Sequence, residues 1–177
     1  MVDKGNTMNI LWAPWRMEYI KSMEKGEKSC VFCKVAMERR DERNYILHRS
    51  RHSFIILNRF PYNTGHLMVV TYKHVPYPTM LTDEELLDVS KTINLAIRIL
   101  ENEYNPEGFN IGVNLGRVGG AGVEEHFHVH IVPRWCGDTN FMPVISATKV
   151  MPESLERTYQ RLRNSLKKVL GKEGGDD

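Results

Sequence analysis

The segment His126-Phe-His-Val-His-Ile-Val132 constrains the fold more than any other stretch of these 177 residues. Side chains alternate between the two faces of a β-strand. A strand over about 126–134 therefore puts His126, His128 and His130 on one face and Phe127, Val129 and Ile131 on the other. One face belongs to a core and the other to chemistry. The chain has only seven histidines, and three in strict alternation are hard to obtain as ordinary polar cover on a wet strand. Imidazole can serve as metal ligand, acid/base or nucleophile. Residues two apart on a strand stand about 6.5 Å apart, so neighbours in the row can do different jobs.

The flanking sequence supplies the rest of a small α+β domain. Short β-rich runs at about 45–49, 53–58 and 66–73 are joined by turn-forming residues, Asn58-Arg-Phe-Pro-Tyr-Asn-Thr-Gly65 among them. Thr82-Asp-Glu-Glu85 reads as a capping box, followed by Leu86, Val89, Ile93, Ala96 and Leu100 at helical spacing. This predicts a long amphipathic helix over about 83–104. Two more strands are expected at about 109–115 and 126–134, with helices at about 14–22, 30–40 and 152–169. Strands on both sides of one long helix, with hairpin-length links among the first three, imply a mainly antiparallel sheet. No linker or repeat divides the chain, so a single domain is expected over 11–170, with polar, glycine-rich and mobile ends at 1–10 and 171–177.

Composition excludes several classes of function. The longest apolar runs, such as Phe54-Ile-Ile-Leu57 and Leu67-Met-Val-Val70, are far below the roughly 20 residues of a membrane span. The start of the chain lacks the basic-then-apolar order of a secretory signal, which implies a cytoplasmic protein. A net charge of +2 gives no concentrated basic face, so no nucleic-acid partner is expected, and Arg39, Arg40, Arg43, Arg49 and Arg51 among acids read as a solvated face.

Two further features bear on chemistry. The glycine-rich Gly116-Arg-Val-Gly-Gly-Ala-Gly122 lies just ahead of the histidines, where backbone N–H groups around Gly120, Gly122 and Val123 could cradle phosphate oxygens. Asn114 could add an amide hydrogen bond there, or simply form the turn. Cys30 and Cys33 form a Cys-x-x-Cys pair that could be a redox couple, a metal site or an accident. The surroundings do not read as the strand-to-helix junction of a thioredoxin-like pair, which favours metal, and zinc needs two more nitrogen or sulfur ligands.

Taken together, His126-Phe-His-Val-His-Ile-Val132 and the upstream Ile56-Leu-Asn-Arg-Phe-Pro-Tyr-Asn-Thr-Gly-His-Leu-Met-Val-Val70 resemble the histidine-triad (HIT) family and its nucleoside-binding hairpin. Leu11-Trp-Ala-Pro-Trp-Arg-Met-Glu-Tyr-Ile20, Gly137-Asp-Thr-Asn-Phe-Met-Pro143 and Thr148-Lys-Val-Met-Pro-Glu153 resemble more narrowly the microbial branch containing diadenosine tetraphosphate phosphorylases. The resemblance implies a HIT-like fold, an antiparallel sheet with a packed long helix and terminal helices, and a homodimer whose sheets join across the interface. It makes His128 the nucleophile, forming a nucleotidyl-histidine on attack at an α-phosphorus, with His66 and His130 in the surrounding polar network. Asn58 would contact the ribose and Asn114 the phosphate.

The resemblance also implies that His74 and His126 complete a structural Zn²⁺ site with Cys30 and Cys33. Where many relatives place Gly-Gln-Ser or Gly-Gln-Thr before the triad, this chain has Gly120-Ala-Gly-Val-Glu-Glu125. The usual hydroxyl is absent, and two acids beside an anionic substrate are expected to point away from it. The implied substrate is a nucleotide or dinucleoside polyphosphate, split by phosphate or water. A nucleoside phosphoramidate or general nucleotide hydrolase, and a non-catalytic nucleotide-binding zinc module, are the alternatives.

Overall fold

The computed structural model describes residues 30–146 and 150–173. They fall into two compact units, the larger holding 30–138 and 151–173 and the smaller 139–146 and 150. The expected helix at 14–22, the Leu11–Ile20 motif and residues 148, 149 and 174–177 lie outside the described residues. The smaller unit contains one short helix, Met142–Ser146.

In the larger unit the elements run α1 (Val31–Glu38), α2 (Asp41–Asn44), β1 (Ile46–Arg49), β2 (Ser53–Leu57), β3 (Leu67–Thr71), α3 (Asp83–Tyr104), β4 (Gly108–Gly112), β5 (His128–Arg134) and α5 (Leu155–Glu173), the helix of the smaller unit being α4. The five strands form one sheet in the order β1-β2-β3-β5-β4, and every neighbouring pair is antiparallel. β2 and β3 are buried along their whole length, which is why both read as unbroken apolar runs.

Each face of the sheet has its own core. Leu47, Ile55, Leu57, Val69, Val129 and Ile131 pack under α3 and α5 against Ala96, Ile99, Leu100 and Leu162. Ile46, Phe54, Ile56, Met68 and Val70 pack on the other face against Phe32 and Val35 of α1. Helix α3 starts where its capping box requires: Thr82 Oγ1 accepts from Glu85 N–H at 3.2 Å, and Glu85 accepts from Thr82 N–H at 2.8 Å. Its buried stripe runs through Val89, Thr92, Ala96, Ile99 and Leu100. Leu86, expected on that stripe, stays 39% exposed in the first turn.

Two differences from the sequence reading have clear local causes. Helix α5 starts at Leu155 because Ser154 caps it, accepting from Arg157 N–H at 3.3 Å. It continues past 169 through Gly171 to Glu173. Arg49, expected on a solvated face, instead donates to the Ala36 carbonyl at 2.9 Å and clasps Asp41, so it holds the C-terminal end of α1 against β1. Among the described residues no helix is long and apolar enough to cross a membrane.

Candidate active site and metal centre

The face of β5 turned toward α1 carries His128 and His130. Strand pairing sets His128 opposite Val70 and His130 opposite Met68, while Val129 and Ile131 enter the core beneath α3. His126 does not sit on the strand as expected. It lies in the bend before β5, because Phe127 N–H bonds the Val75 carbonyl at 2.7 Å, on the segment after β3 and beyond its ladder. The face rule nonetheless holds through the bend: Phe127 is in the α3-side core and the His126 ring packs edge-on to Phe32.

That bend aims His126 at a cluster. The donor atoms of Cys30, Cys33, His74 and His126 all lie within 4.8 Å of one another. Cys30 Sγ is 3.2 Å and Cys33 Sγ 3.6 Å from His126 Nδ1, Cys33 Sγ is 3.4 Å from His74 Nδ1, and the two ring nitrogens are 3.2 Å apart. With bonds of about 2.3 Å to sulfur and about 2.0 Å to nitrogen, a zinc tetrahedron has edges of about 3.3–3.8 Å. These four of the six edges, at 3.2–3.6 Å, are close to those lengths, and the other two are within 4.8 Å. The tautomer fits as well: His126 Nε2 donates to the Thr71 carbonyl at 2.7 Å, which leaves the Nδ1 lone pair facing the cluster. Glu125, expected to point away from an anionic substrate, places its carboxylate 3.8 Å from His74 Nε2.

His128 is 4% exposed, under the Phe32 ring at a centroid distance of 5.0 Å. Its Nδ1 lies 2.7 Å from the His126 carbonyl. A carbonyl can only accept, so Nδ1 carries the proton and Nε2 the lone pair. Burial lowers the ring's proton affinity below the usual imidazole value, against the smaller opposing effect of the bond to the His126 carbonyl. The result is a neutral imidazole with one defined nucleophilic nitrogen.

A second chain of bonds sets His130. Tyr62 N–H donates to His66 Nδ1 at 3.0 Å, with the Asn58 amide nitrogen 3.4 Å from the same atom. His66 is therefore protonated on Nε2, which lies 3.0 Å from His130 Nδ1. His130 accepts there, and a neutral His130 then carries its proton on Nε2. The rings of His128 and His130 stand edge to face, 5.0 Å apart. A nucleophilic nitrogen thus lies beside a ring whose N–H is set to donate.

The structure brings Asn58, His66, His128 and His130 together on one side and Cys30, Cys33, His74 and His126 on the other. Asn114 is half-buried two residues beyond Gly112, the β4 partner of His130. The glycine loop is less open than expected. Gly120 N–H bonds the Arg117 carbonyl at 3.0 Å, Gly120 itself takes a φ of +85°, and a side chain at Gly119 would strike the Leu115 carbonyl. These glycines make the turn possible, and the Gly120 N–H is occupied within it. Val123 is buried with Phe32 and Val70, and Gly122 is half-buried beside it.

Sequence reasoning missed Phe32, which touches both His126 and His128, and the backbone donor of Tyr62. Phe32 stands between the two cysteines on a helix with an apolar stripe, a signal that was available. A backbone N–H leaves no mark in sequence.

A HIT-domain profile matches residues 39–136, and the chain belongs to the histidine-triad family. Within that family it is 37% identical over 168 residues to AP-4-A phosphorylase of Mycobacterium tuberculosis, covering 91% of this chain and 86% of that protein. It is also 32% identical over 89 residues to the asymmetrical bis(5'-nucleosyl)-tetraphosphatase of Schizosaccharomyces pombe, covering 50% of this chain and 48% of that one. The crystal structure of a Zn-bound histidine triad family protein from Mycobacterium smegmatis shares the fold, with a TM-score of 0.67 at 23% identity over 83% of this chain and 99% of the other.

Proposed function

We propose that this chain is a nucleotidyl-transferring enzyme that splits dinucleoside polyphosphates at an α-phosphorus through a nucleotidyl-His128 intermediate, with inorganic phosphate as the preferred acceptor and water as the alternative. The observation that carries the reading is the 2.7 Å bond from His128 Nδ1 to the His126 carbonyl, which fixes the lone pair on Nε2 of a buried, neutral ring. The relatives named for AP-4-A phosphorolysis and bis(5'-nucleosyl)-tetraphosphate cleavage support the substrate class.

In the first step Nε2 attacks the α-phosphorus in line, a P–N bond forms, and the P–O bond to the leaving nucleoside polyphosphate breaks. The ring becomes cationic, and its Nδ1 keeps its proton and goes on donating to the His126 carbonyl, which stabilises that charge. His130, held as a donor through His66, would bond the transferring phosphoryl oxygens, with Asn114 and the N–H groups of Gly122 and Val123 as further donors. Asn58, fixed by Phe60 N–H donating to its Oδ1 at 2.9 Å, would meet the ribose. In the second step an acceptor oxygen attacks, the P–N bond breaks, and His128 returns neutral.

Cys30, Cys33, His74 and His126 would hold one zinc ion, whose closed four-ligand shell cross-links α1 to the approach of β5 without activating water. Such thiol ligands suit a reducing cytoplasm. We place a homodimer across the edge of β4, which among the described residues pairs on one side alone, and which with the segment just beyond it exposes Ile111, Val113 and Leu115 at alternate positions.

The test is a denaturing alkaline quench during turnover of diadenosine tetraphosphate. Wild-type protein should carry an adenylyl group on the peptide containing His128. His128→Asn should carry none and lose kcat on the order of 10⁴- to 10⁶-fold. Undiminished turnover by a folded His128→Asn overturns the assignment.

A further inference from the structure

The Gly137–Pro143 motif has no part in the chemistry above, yet Asp138 is bonded to the loop that carries Asn58 and His66. Its carboxylate is 9% exposed. Asp138 Oδ2 accepts from the Asn63 amide at 2.9 Å, from Arg134 Nε at 2.6 Å and from Trp135 N–H at 3.3 Å, while Oδ1 accepts from a second Arg134 nitrogen at 3.0 Å. Arg134 also donates to Asn110 of β4 at 2.6 Å. The bidentate guanidinium neutralises the carboxylate and fixes its plane.

Asn63 is the buried polar anchor of the loop between β2 and β3, at 8% exposure. Its amide nitrogen bonds both Asp138 and the Pro133 carbonyl, the latter at 3.1 Å. Its own carbonyl accepts from His66 N–H at 3.1 Å. The next residue back, Tyr62, supplies the N–H that selects the His66 tautomer. The loop thus hangs from the end of the strand that carries His128 and His130, by two bonds to one amide.

We propose that Asp138 is a positioning residue of the active site. By holding Asn63 it fixes the peptide of Tyr62, and so keeps His66 and His130 each in one tautomer with His130 Nε2–H toward the substrate. The proposal rests on the His128 reading for its kinetic consequence, but the tautomers are observable without substrate. With the clasp removed, the loop carrying Asn58 and His66 loosens while the His126–His128 bond stays. Loss of alignment by about 1 Å lowers catalysis on the order of 10²-fold.

The experiment is ¹⁵N NMR of the imidazoles at mildly alkaline pH, together with kinetics on diadenosine tetraphosphate, for Asp138→Ala, Asp138→Asn, Asn63→Ala and the double alanine variant. In Asp138→Ala the His66 and His130 signals should leave their single-tautomer positions while those of His128 remain, and kcat should fall about 10- to 100-fold with KM rising less. Asp138→Asn keeps an acceptor for Asn63 and should recover most of both. The double variant should be no worse than Asn63→Ala. Unmoved His66 and His130 signals in folded Asp138→Ala, or in folded Asn63→Ala where the first variant fails to fold, overturn the proposal. So do independent, multiplying effects of the two substitutions. Inactivity of wild-type protein on this substrate with the tautomer shift present would instead count against the substrate reading alone.

Discussion

The carbonyl of His126 accepts the Nδ1 proton of His128 at 2.7 Å, while the imidazole of the same His126 faces Cys30, Cys33 and His74. One residue therefore belongs to two sites, its side chain to the Cys/His cluster and its backbone to the ring proposed as the nucleophile. Anything that moves residue 126 changes both the cluster and the direction of the His128 lone pair.

Metal removal is the first consequence. Protein purified without added metal should carry one zinc per chain. Cys30→Ser, or chelation of wild type, should remove it and lower Tm on the order of 10 °C, since metal binding to a preformed site contributes to folding directly. Because His126 is shared, kcat should fall with the metal and, in the chelated wild type, return with added zinc. Elemental analysis beside thermal melts checks this; metal-free protein with unchanged Tm would remove the metal from the account.

How far the sequence reveals this arrangement can be judged residue by residue. The alternation from His126 to Ile131 shows which side chains share a face, because strand geometry is periodic and local. It cannot show that His126 leaves the ladder, since that depends on Phe127 N–H bonding Val75, a residue 52 positions away. Cys30 and Cys33 were legible as a candidate metal pair from their spacing and surroundings, but His74 and His126 only through the family pattern, for a Cys-x-x-Cys pair does not name its distant partners. The Asn63–Asp138 bond spans 75 positions and leaves no periodicity at all. Helix α3 was legible almost to the residue, because caps and apolar spacing are local signals. The glycine loop shows the opposite case: its composition suggested open N–H groups, but Gly120 N–H is bonded inside the turn.

Acid stability should depend on Glu153. Burial alone would raise its pKa, but hydrogen bonds from Tyr104 at 2.6 Å, Arg161 at 3.0 Å and Thr158 at 2.9 Å together hold it below the usual glutamate value. A carboxylate with a lowered folded pKa adds stability above its unfolded pKa, and this is lost as pH falls through the folded one. The contribution should thus be complete above about pH 5 and fade toward lower pH. Glu153→Gln should cost about 1–3 kcal/mol at neutral pH, and the Tm gap from wild type should narrow on acidification. A gap that stays constant down to acid pH would contradict this.

The β4 edge predicts association. Wild-type protein should run at twice the chain mass in light scattering. Ile111→Asp places a charge on the exposed edge, where it should give a folded monomer. Ile111 pairs with Ile131 across β5, so the ladder itself should survive the change. A wild-type monomer at micromolar concentration would remove the interface.

The last prediction concerns the acceptor. On the proposed mechanism, attack of His128 on diadenosine tetraphosphate would expel ATP and leave AMP on the ring; phosphate would then release ADP, whereas water would release AMP. The segment before the triad, Gly120-Ala-Gly-Val-Glu-Glu125, offers no side-chain hydroxyl to orient a water. Glu125 places its exposed carboxylate 3.8 Å from His74 Nε2, on the side of the Cys/His cluster. On the proposed mechanism the donor of His130, with backbone N–H groups such as those of Gly122 and Val123, would favour an anionic acceptor over water. As phosphate rises from zero to millimolar, the yield of ADP should climb at the expense of AMP while ATP release stays close to one per turnover. AMP yield that ignores phosphate would make the enzyme a hydrolase and would leave His128 as its nucleophile.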